Sequence, residues 1–518
     1  MKGLFLNLML LLGLMSLSLN CSSKSKKEAK LLAENAKKVS LEQFRPLFHF
    51  TPKEKWMNDP NGLVYHNAEY HLFYQYYPDS TVWGPMHWGH AKSKDLLKWK
   101  HQDIALYPDS LGYIFSGSAV IDVKNTAGFG ENAMVAAFTY HDPIKEKEGQ
   151  IDFQTQGIAH SNDNGKTWTK YEGNPVIKNP GIRDFRDPKV FWNVEKSNWQ
   201  MVLVAKDEVQ FYESMDLKSW NKISVFRFDD NPPLGVWECP DIFKMKVENT
   251  EEEKWVLIVS HGQGAANGGS GTRYFIGDYD GTTFTTQQKS SQWLDYGTDN
   301  YAGVTYNNTP DGKRIFIGWM SNWDYATTTP TIRWRSAMTL PRELTLNKTE
   351  NGYYVKSSLI EQIGTITTDV SSEVSGTPDT QFTYADLQRS LLSYDITDIT
   401  HPFEISLSNS KEELYTISYD PKSRIFSTDR SKSGNIDFNK KFLKNPKQTM
   451  TIGARTQMSL TLVLDASSIE IFVNDGEFVM TNQIFPSEPY TKFHISKGPN
   501  TKMENFEIKK IKHVVPQE

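Results

Sequence analysis

The phrase Ser-x-Asp, followed by a turn and a tryptophan, occurs three times in this chain, at Ser93–Trp99, Ser161–Trp168 and Ser214–Trp220. From about Phe44 to Leu346 it is embedded among short runs of aromatic and β-branched residues, such as Tyr70–Tyr76, Met134–Tyr140 and Trp255–Ser260, bounded by Gly, Pro, Asn or Asp. None of these runs keeps a helical period. Short strands joined by a recurring turn predict a β-propeller, in which four-stranded sheets radiate from a central channel. The repeat is too degenerate to give the number of blades. After Pro341–Leu344 the pattern breaks, and residues 347–380, rich in Thr, Ser, Asp and Gly, read as a linker. A second block of strands, over 381–518, includes Phe403–Leu407, Leu414–Tyr419, Met458–Leu464 and Ile469–Val473, with Asn474-Asp475-Gly476 as a hairpin turn. It predicts a β-sandwich, making the whole chain all-β.

Three acidic motifs stand out within the propeller region, 44–346: Trp56-Met57-Asn58-Asp59-Pro60-Asn61-Gly62, Phe185-Arg186-Asp187-Pro188 and Trp237-Glu238-Cys239-Pro240-Asp241. The proline after Asp59 biases that residue to extended geometry and removes a backbone donor. Asn61-Gly62 reads as a tight turn between short strands, which would put Asp59 at a strand end facing a cavity. Taken alone, this segment reads equally well as a simple hairpin turn, and Arg186-Asp187 as a structural ion pair. The carboxylates are far apart in sequence, so they must come from different blades.

The three motifs, in this order, resemble those of glycoside hydrolase family 32, the β-fructosidases (inulinases, levanases, invertases). The resemblance runs from Phe44 onward and includes the second block, notably Asp465–Phe472 and Asp429-Arg430-Ser431. It implies a five-bladed β-propeller with the active site at one end of its channel, followed by a C-terminal β-sandwich. It also implies roles: Asp59 as the nucleophile that forms a covalent fructosyl-enzyme, Glu238 as acid/base, and Asp187, with Arg186 beside it, as the binder of the fructose 3- and 4-hydroxyls. Hydrolysis with retention uses such a carboxyl pair. Trp237 and Cys239 give Glu238 an apolar neighbourhood that should raise its pKa, Asn58 can hydrogen-bond Asp59 in its ionised form, and Arg186 should favour ionised Asp187. By the same resemblance Gln75 and Trp83 contact the terminal sugar, Phe115 and Ser116 lie at the rim, Trp319 touches sugar, and Asp299 lines the pocket. Pro85, Asn300 and Ser336 depart from the usual pattern, and Asn300 puts one wall of the rim in doubt.

The implied substrate is a fructan or fructo-oligosaccharide, cleaved from its end, with sucrose as a side substrate. Endo-acting cleavage and a non-catalytic fructan-binding protein are the alternatives, and a propeller arabinanase is a third. The net charge of −5 offers no basic footprint for nucleic acid, and 14 Trp among 13% aromatics suit sugar faces as well as cores. No zinc-spaced Cys/His cluster, calcium loop or phosphate loop is present in the sequence, so neither metal nor cofactor is implied. Residues 1–20, with Lys2 and apolar Leu4–Leu19, read as a signal segment too short to span a membrane. Cys21 after Leu17–Asn20 resembles a bacterial lipidation site. Residues 21–43 would then be a tether, making the protein an exported, membrane-anchored lipoprotein. An ordinary cleaved signal peptide is the alternative.

Overall fold

The computed structural model describes residues 42–230, 233–370 and 381–514. The signal segment, Cys21 and the tether up to Leu41 lie outside them. The described chain forms five sheets, antiparallel within each blade, followed by two six-stranded sheets. Blade I consists of Lys55–His66, Glu69–Tyr77, His87–Ser93 and Lys100–His101, and blade II of Tyr113–Asp122, Ala133–His141, Gln154–Ser161 and Thr169–Lys170. Blade III is built from Phe185–Asn193, Asn198–Ala205, Glu208–Ser214 and Asn221–Arg227; blade IV from Trp237–Lys246, Glu253–His261, Gly271–Tyr279 and Phe284–Thr286. Blade V takes Tyr301–Thr305, Arg314–Met320, Arg342–Thr349 and Gly352–Leu359.

The recurring phrase is the turn between the third and fourth strands of blades I to III. In each, the serine hydroxyl donates to the aspartate (Ser93 to Asp95 at 3.0 Å, Ser161 to Asp163 at 2.8 Å, Ser214 to Asp216 at 3.1 Å). The same carboxylate then accepts the next backbone N–H groups, as Asp163 does from Lys166 and Thr167. An acidic side chain in such a turn replaces ladder bonds that the reversal cannot make. The blades pack face to face through apolar wedges: Phe73, Trp88 and Phe138 between I and II, Ile158, Val190 and Met201 between II and III. Phe226, Trp237 and Phe275 fill III/IV, while Phe243, Ile258 and Phe316 fill IV/V.

Every innermost strand carries a bulge near its start, at Met57/Pro60, Ile114/Gly117, Arg186/Lys189, Glu238/Asp241 and Tyr301/Val304. These strands border the channel on one side, so the missing N–H groups of Pro60, Pro188 and Pro240 break no essential ladder bond. Two expectations fail here. Asn61-Gly62 is not a turn between strands but a second irregularity inside the twelve-residue strand Lys55–His66, whose hairpin lies at Asn67-Ala68. The linker drawn at 347–380 begins too early: Arg342–Thr349 and Gly352–Leu359 are the outer strands of blade V, and Thr367–Asp369 already belongs to the sandwich.

The sandwich encloses its own core of Leu462, Ile471, Ile405, Ile417 and Phe493. Its Asn474-Asp475-Gly476 hairpin has the positive φ angles (50°, 56° and 91°) that this sequence favours. The sheet containing Met458–Asp465 and Ser468–Val473 faces the propeller through buried charges. His49 bridges Asp465 and Glu470 at 2.7 Å each, and Arg342 bridges Asp295 (2.8 Å) and Glu470 (2.6 Å).

Candidate active site

All five innermost strands run in the same direction, so their bulges gather at one end of the channel. A bulge re-aims one side chain out of the alternating pattern. Asp187 and Cys239 adopt φ of 64° and 46° there, a left-handed conformation uncommon for non-glycine residues inside a strand.

Asp59 is the best-anchored carboxylate. Asn58 Nδ2 donates to its Oδ1 at 2.9 Å, Ser116 Oγ to its Oδ2 at 2.7 Å, and the Cys239 thiol reaches the same oxygen at 3.5 Å. Asn58 is itself fixed by the Trp56 indole N–H at 2.7 Å. Burial, reinforced by the surrounding carboxylates, raises the Cys239 thiol well above its usual range, so it stays protonated and can donate. Gln75 is buried below, donating to Asn61 Oδ1 (2.7 Å) and to the Ile114 carbonyl (3.1 Å), which ties blade I to blade II.

Asp187 Oδ2 accepts the backbone N–H of Cys239 at 2.9 Å. Its own N–H is tied to Thr139 Oγ1 at 2.9 Å. Burial pushes the Asp187 carboxyl up to about 7 against the pull of Arg186, with the charges of Glu238 and Asp59 adding to the rise. Arg186 does favour ionised Asp187, as their adjacency suggests, but burial outweighs it. The guanidinium directs its short contacts elsewhere, to Glu238 Oε1 (2.9 Å) and Asp184 Oδ1 (2.8 Å), and lies 3.9 Å from Asp187.

Glu238 is held between Arg186 and the Tyr301 hydroxyl, which donates to Oε2. Burial raises its pKa, Arg186 opposes that rise, and the charge of Asp59 adds to it. The direction matches the one read from its apolar sequence neighbours. Asp59 thus accepts from Asn58, Ser116 and Cys239, whereas Glu238 accepts from Arg186 and Tyr301 and has a raised pKa, so the two carboxyls occupy contrasting environments.

The walls differ in part from expectation. Trp83 is 40% exposed and meets Phe115 edge-on at 5.9 Å, while Phe115 stacks on His141 at 4.2 Å, so these two form the rim. Ser116 is not at the rim; it is buried on Asp59. Trp319 is fully buried among Trp56, Tyr301 and Trp323 and backs the pocket without opening onto it. Asp299 lies outside the site, buried against Arg430 of the sandwich at 2.8 Å. Asn300 is buried too, donating to Asp295. Beneath the carboxylates the channel shrinks to a cavity of about 10 Å³, barely room for a water, lined by Asn61, Ser116, Asp187, Cys239 and Lys189. The Lys189–Asp241 pair (3.1 Å) plugs it further down. The pocket is therefore blind.

Tyr301, Thr139 and Asp184 escaped sequence reasoning. Tyr301 had one available signal: Tyr301-Ala302-Gly303-Val304 opens an innermost strand at the level where the other motifs open theirs.

Known proteins share this arrangement of blades and sandwich. Residues 49–357 match the glycosyl hydrolases family 32 N-terminal domain, and residues 356–510 the family 32 C-terminal domain. A levanase of Bacillus subtilis is 43% identical over 495 residues, covering 91% of this chain and 71% of the levanase. An extracellular exo-inulinase of Aspergillus niger is 38% identical, covering 86% of this chain and 90% of its own length. The crystal structure of exo-inulinase from Aspergillus awamori superposes with a TM-score of 0.82 at 32% identity, covering 91% of this chain and 99% of that one. A β-fructofuranosidase of Schwanniomyces occidentalis, complexed with fructosyl-erythritol, gives 0.77 at 30%, covering 91% and 98%. With both domain matches meeting where blade V ends, and relatives aligned over nearly the whole described fold, the chain belongs to glycoside hydrolase family 32.

Proposed function

We propose that this β-fructosidase releases terminal fructose from a fructan, levan or inulin, with retention, and cleaves sucrose as a lesser substrate. The observation that carries this is the meeting of Asp59 and Glu238 in contrasting environments above a blind channel. In the first step Glu238 gives its proton to the leaving glycosidic oxygen while Asp59 attacks the anomeric C2, forming the fructosyl-enzyme ester. In the second, Glu238, now a carboxylate, takes a proton from water; the water oxygen bonds to C2 and Asp59 leaves. Asp187 accepts hydrogen bonds from the fructose hydroxyls, and Arg186 orients Glu238. A closed pocket floor favours a chain end over the middle of a chain.

The test is a short time course of products from levan and from inulin, comparing wild type with Glu238→Ala. Fructose alone from the first minutes, with a rate lowered about 10²–10⁴-fold in the variant, supports the reading. Oligosaccharides appearing first would replace it with endo action. Full activity in the variant would remove Glu238 from the mechanism.

Export and lipid attachment at Cys21 complete the proposal, supported by the Leu4–Leu19 segment and by the extracellular exo-inulinases among the relatives. Cells fed labelled palmitate should yield labelled wild type and unlabelled Cys21→Ala. Label retained in the variant would refute acylation at Cys21.

A further inference from the structure

The innermost strands carry the active site at their starts, and at their far ends they open a second cavity. It has a volume of about 370 Å³ and lies where blades II to V converge, between Phe191–Glu195, Ile242–Lys244, Asn307–Asn308 and Arg314. Six residues of extended chain separate Asp187 from Asn193, so the two sites are roughly 20 Å apart on opposite faces of the propeller.

The charge balance there is uneven. Lys189 is paired with Asp241 at 3.1 Å, and Lys244 with Glu195 (3.1 Å) and Glu253 (2.8 Å). Arg314 has no carboxylate within ion-pair distance among the described residues. Its guanidinium lies 4.6 Å from the centre of the Phe243 ring, and one terminal nitrogen makes a long bond (3.3 Å) to the Tyr306 carbonyl. Its Nε is buried without a hydrogen-bond partner among the described residues. Asp241 acts on Arg314 only from beyond ion-pair distance and is already bound by Lys189, so the guanidinium fork keeps free donors that match a carboxylate or phosphate. Half-buried Phe191 and Trp255, 6.0 Å apart, give the same cavity an apolar wall.

We propose that this cavity binds a small organic oxyanion, a carboxylate or phosphate held by Arg314 with its organic body against Phe191 and Trp255. The site is separate from the fructose pocket and uses none of its residues.

The experiment titrates the full-length protein with inorganic phosphate, phenyl phosphate, benzoate and, as the neutral control, phenol, following tryptophan fluorescence and calorimetry. Wild type should bind phenyl phosphate and benzoate at millimolar levels or tighter, phenyl phosphate at least about tenfold tighter than inorganic phosphate, and phenol not at all. Preference for phenyl phosphate over benzoate, or the reverse, identifies the headgroup. Arg314→Gln should lose at least about tenfold in affinity, a difference of about 1.4 kcal/mol, while Arg314→Lys retains part of it. Sucrose hydrolysis unchanged in both variants shows that they are folded. Should either substituted protein fail to fold, Phe191→Ala supplies the second reading: phenyl phosphate weakened towards the level of inorganic phosphate. No saturable binding in wild type, equal binding in folded Arg314→Gln, or phenol binding as well as phenyl phosphate would overturn the proposal.

Discussion

At the scale of single residues, the sequence exposed the three carboxylates because each is followed within two positions by a proline that the innermost strand tolerates. Tyr301 carries neither proline nor charge, so only its place at the start of an innermost strand marks it. Its hydroxyl nevertheless donates to Glu238 Oε2, a bond that strengthens when Glu238 ionises. Tyr301→Phe should therefore raise the Glu238 pKa further and move the alkaline limb of the kcat/KM profile on sucrose to higher pH, with a rate loss of roughly ten- to a hundredfold. An unmoved limb would reduce Tyr301 to packing.

Asp187 makes a second prediction. Its carboxyl is raised from 3.8 to about 7 in the fold, so the group favours folding below its unfolded value, and that contribution is lost as pH rises through 7. Asp187→Asn should be more stable than wild type at pH 8 by on the order of 1–3 kcal/mol, and almost inactive. Thermal unfolding at pH 3.5, pH 5 and pH 8 checks it: the gain should be absent at pH 3.5, partial at pH 5 and full at pH 8. The sequence could not show this. Arg186 is adjacent in the chain, but the bulge turns its fork towards Glu238.

At the scale of elements, the repeat was legible where the Ser-x-Asp turn was kept and invisible where it was not. Blade IV makes the same reversal with Asp280 accepting from Thr282 and Thr283, without the serine. Blade V is interrupted between its second and third strands by the segment from Ser321 to Pro341, and its outer strands are rich in Thr, Lys and Ser, so they resembled a linker. The bulges were misread for a related reason: Asn-Asp-Pro-Asn-Gly has turn composition, and only tertiary pairing with Glu69–Tyr77 keeps it in one strand.

Gly62 tests the importance of that irregularity. Its φ is +54°, and a methyl group there would lie 2.6 Å from the Phe73 ring and 3.0 Å from Trp88. Gly62→Ala should cost about 2–3 kcal/mol in urea unfolding and displace Asp59, reducing kcat more than KM changes. A variant as stable and as active as wild type would mean that the strand can relax freely.

At the scale of the whole molecule, none of the described sandwich residues reaches the candidate active site, yet the sandwich is joined to the propeller by buried ions. Burial pulls His49 down, but its bonds to Asp465 and Glu470 prevail and raise it from 6.5 to about 9. Burial pushes Glu470 up, but Arg342 and His49 prevail and lower it from 4.5 to about 2. The His49 contribution is complete below 6.5 and lost as pH climbs through 9; that of Glu470 is complete above 4.5 and lost as pH falls towards 2. The contact should be strongest between those limits. His49→Ala should cost about 3–5 kcal/mol at pH 6, measured by thermal or chemical unfolding, and should flatten the alkaline decline.

Blade I is made of consecutive chain, and its innermost strand meets the end of the circle through a two-residue parallel pairing, Lys55 with Trp334 and Trp56 with Arg335, and at its other end through a single parallel bridge, Val64 with Asn307. That short seam runs beside Trp56, whose indole fixes Asn58 and, through it, Asp59. Leu391, Val463, Phe472 and Val479 of the sandwich belong to the same apolar cluster as Trp56, Trp319 and Met338 at the seam. The second domain is thus a splint across the joint of a wheel. Amide exchange in the intact enzyme should open first where that joint is thinnest, and Asp59 would lose its alignment before any blade unfolds.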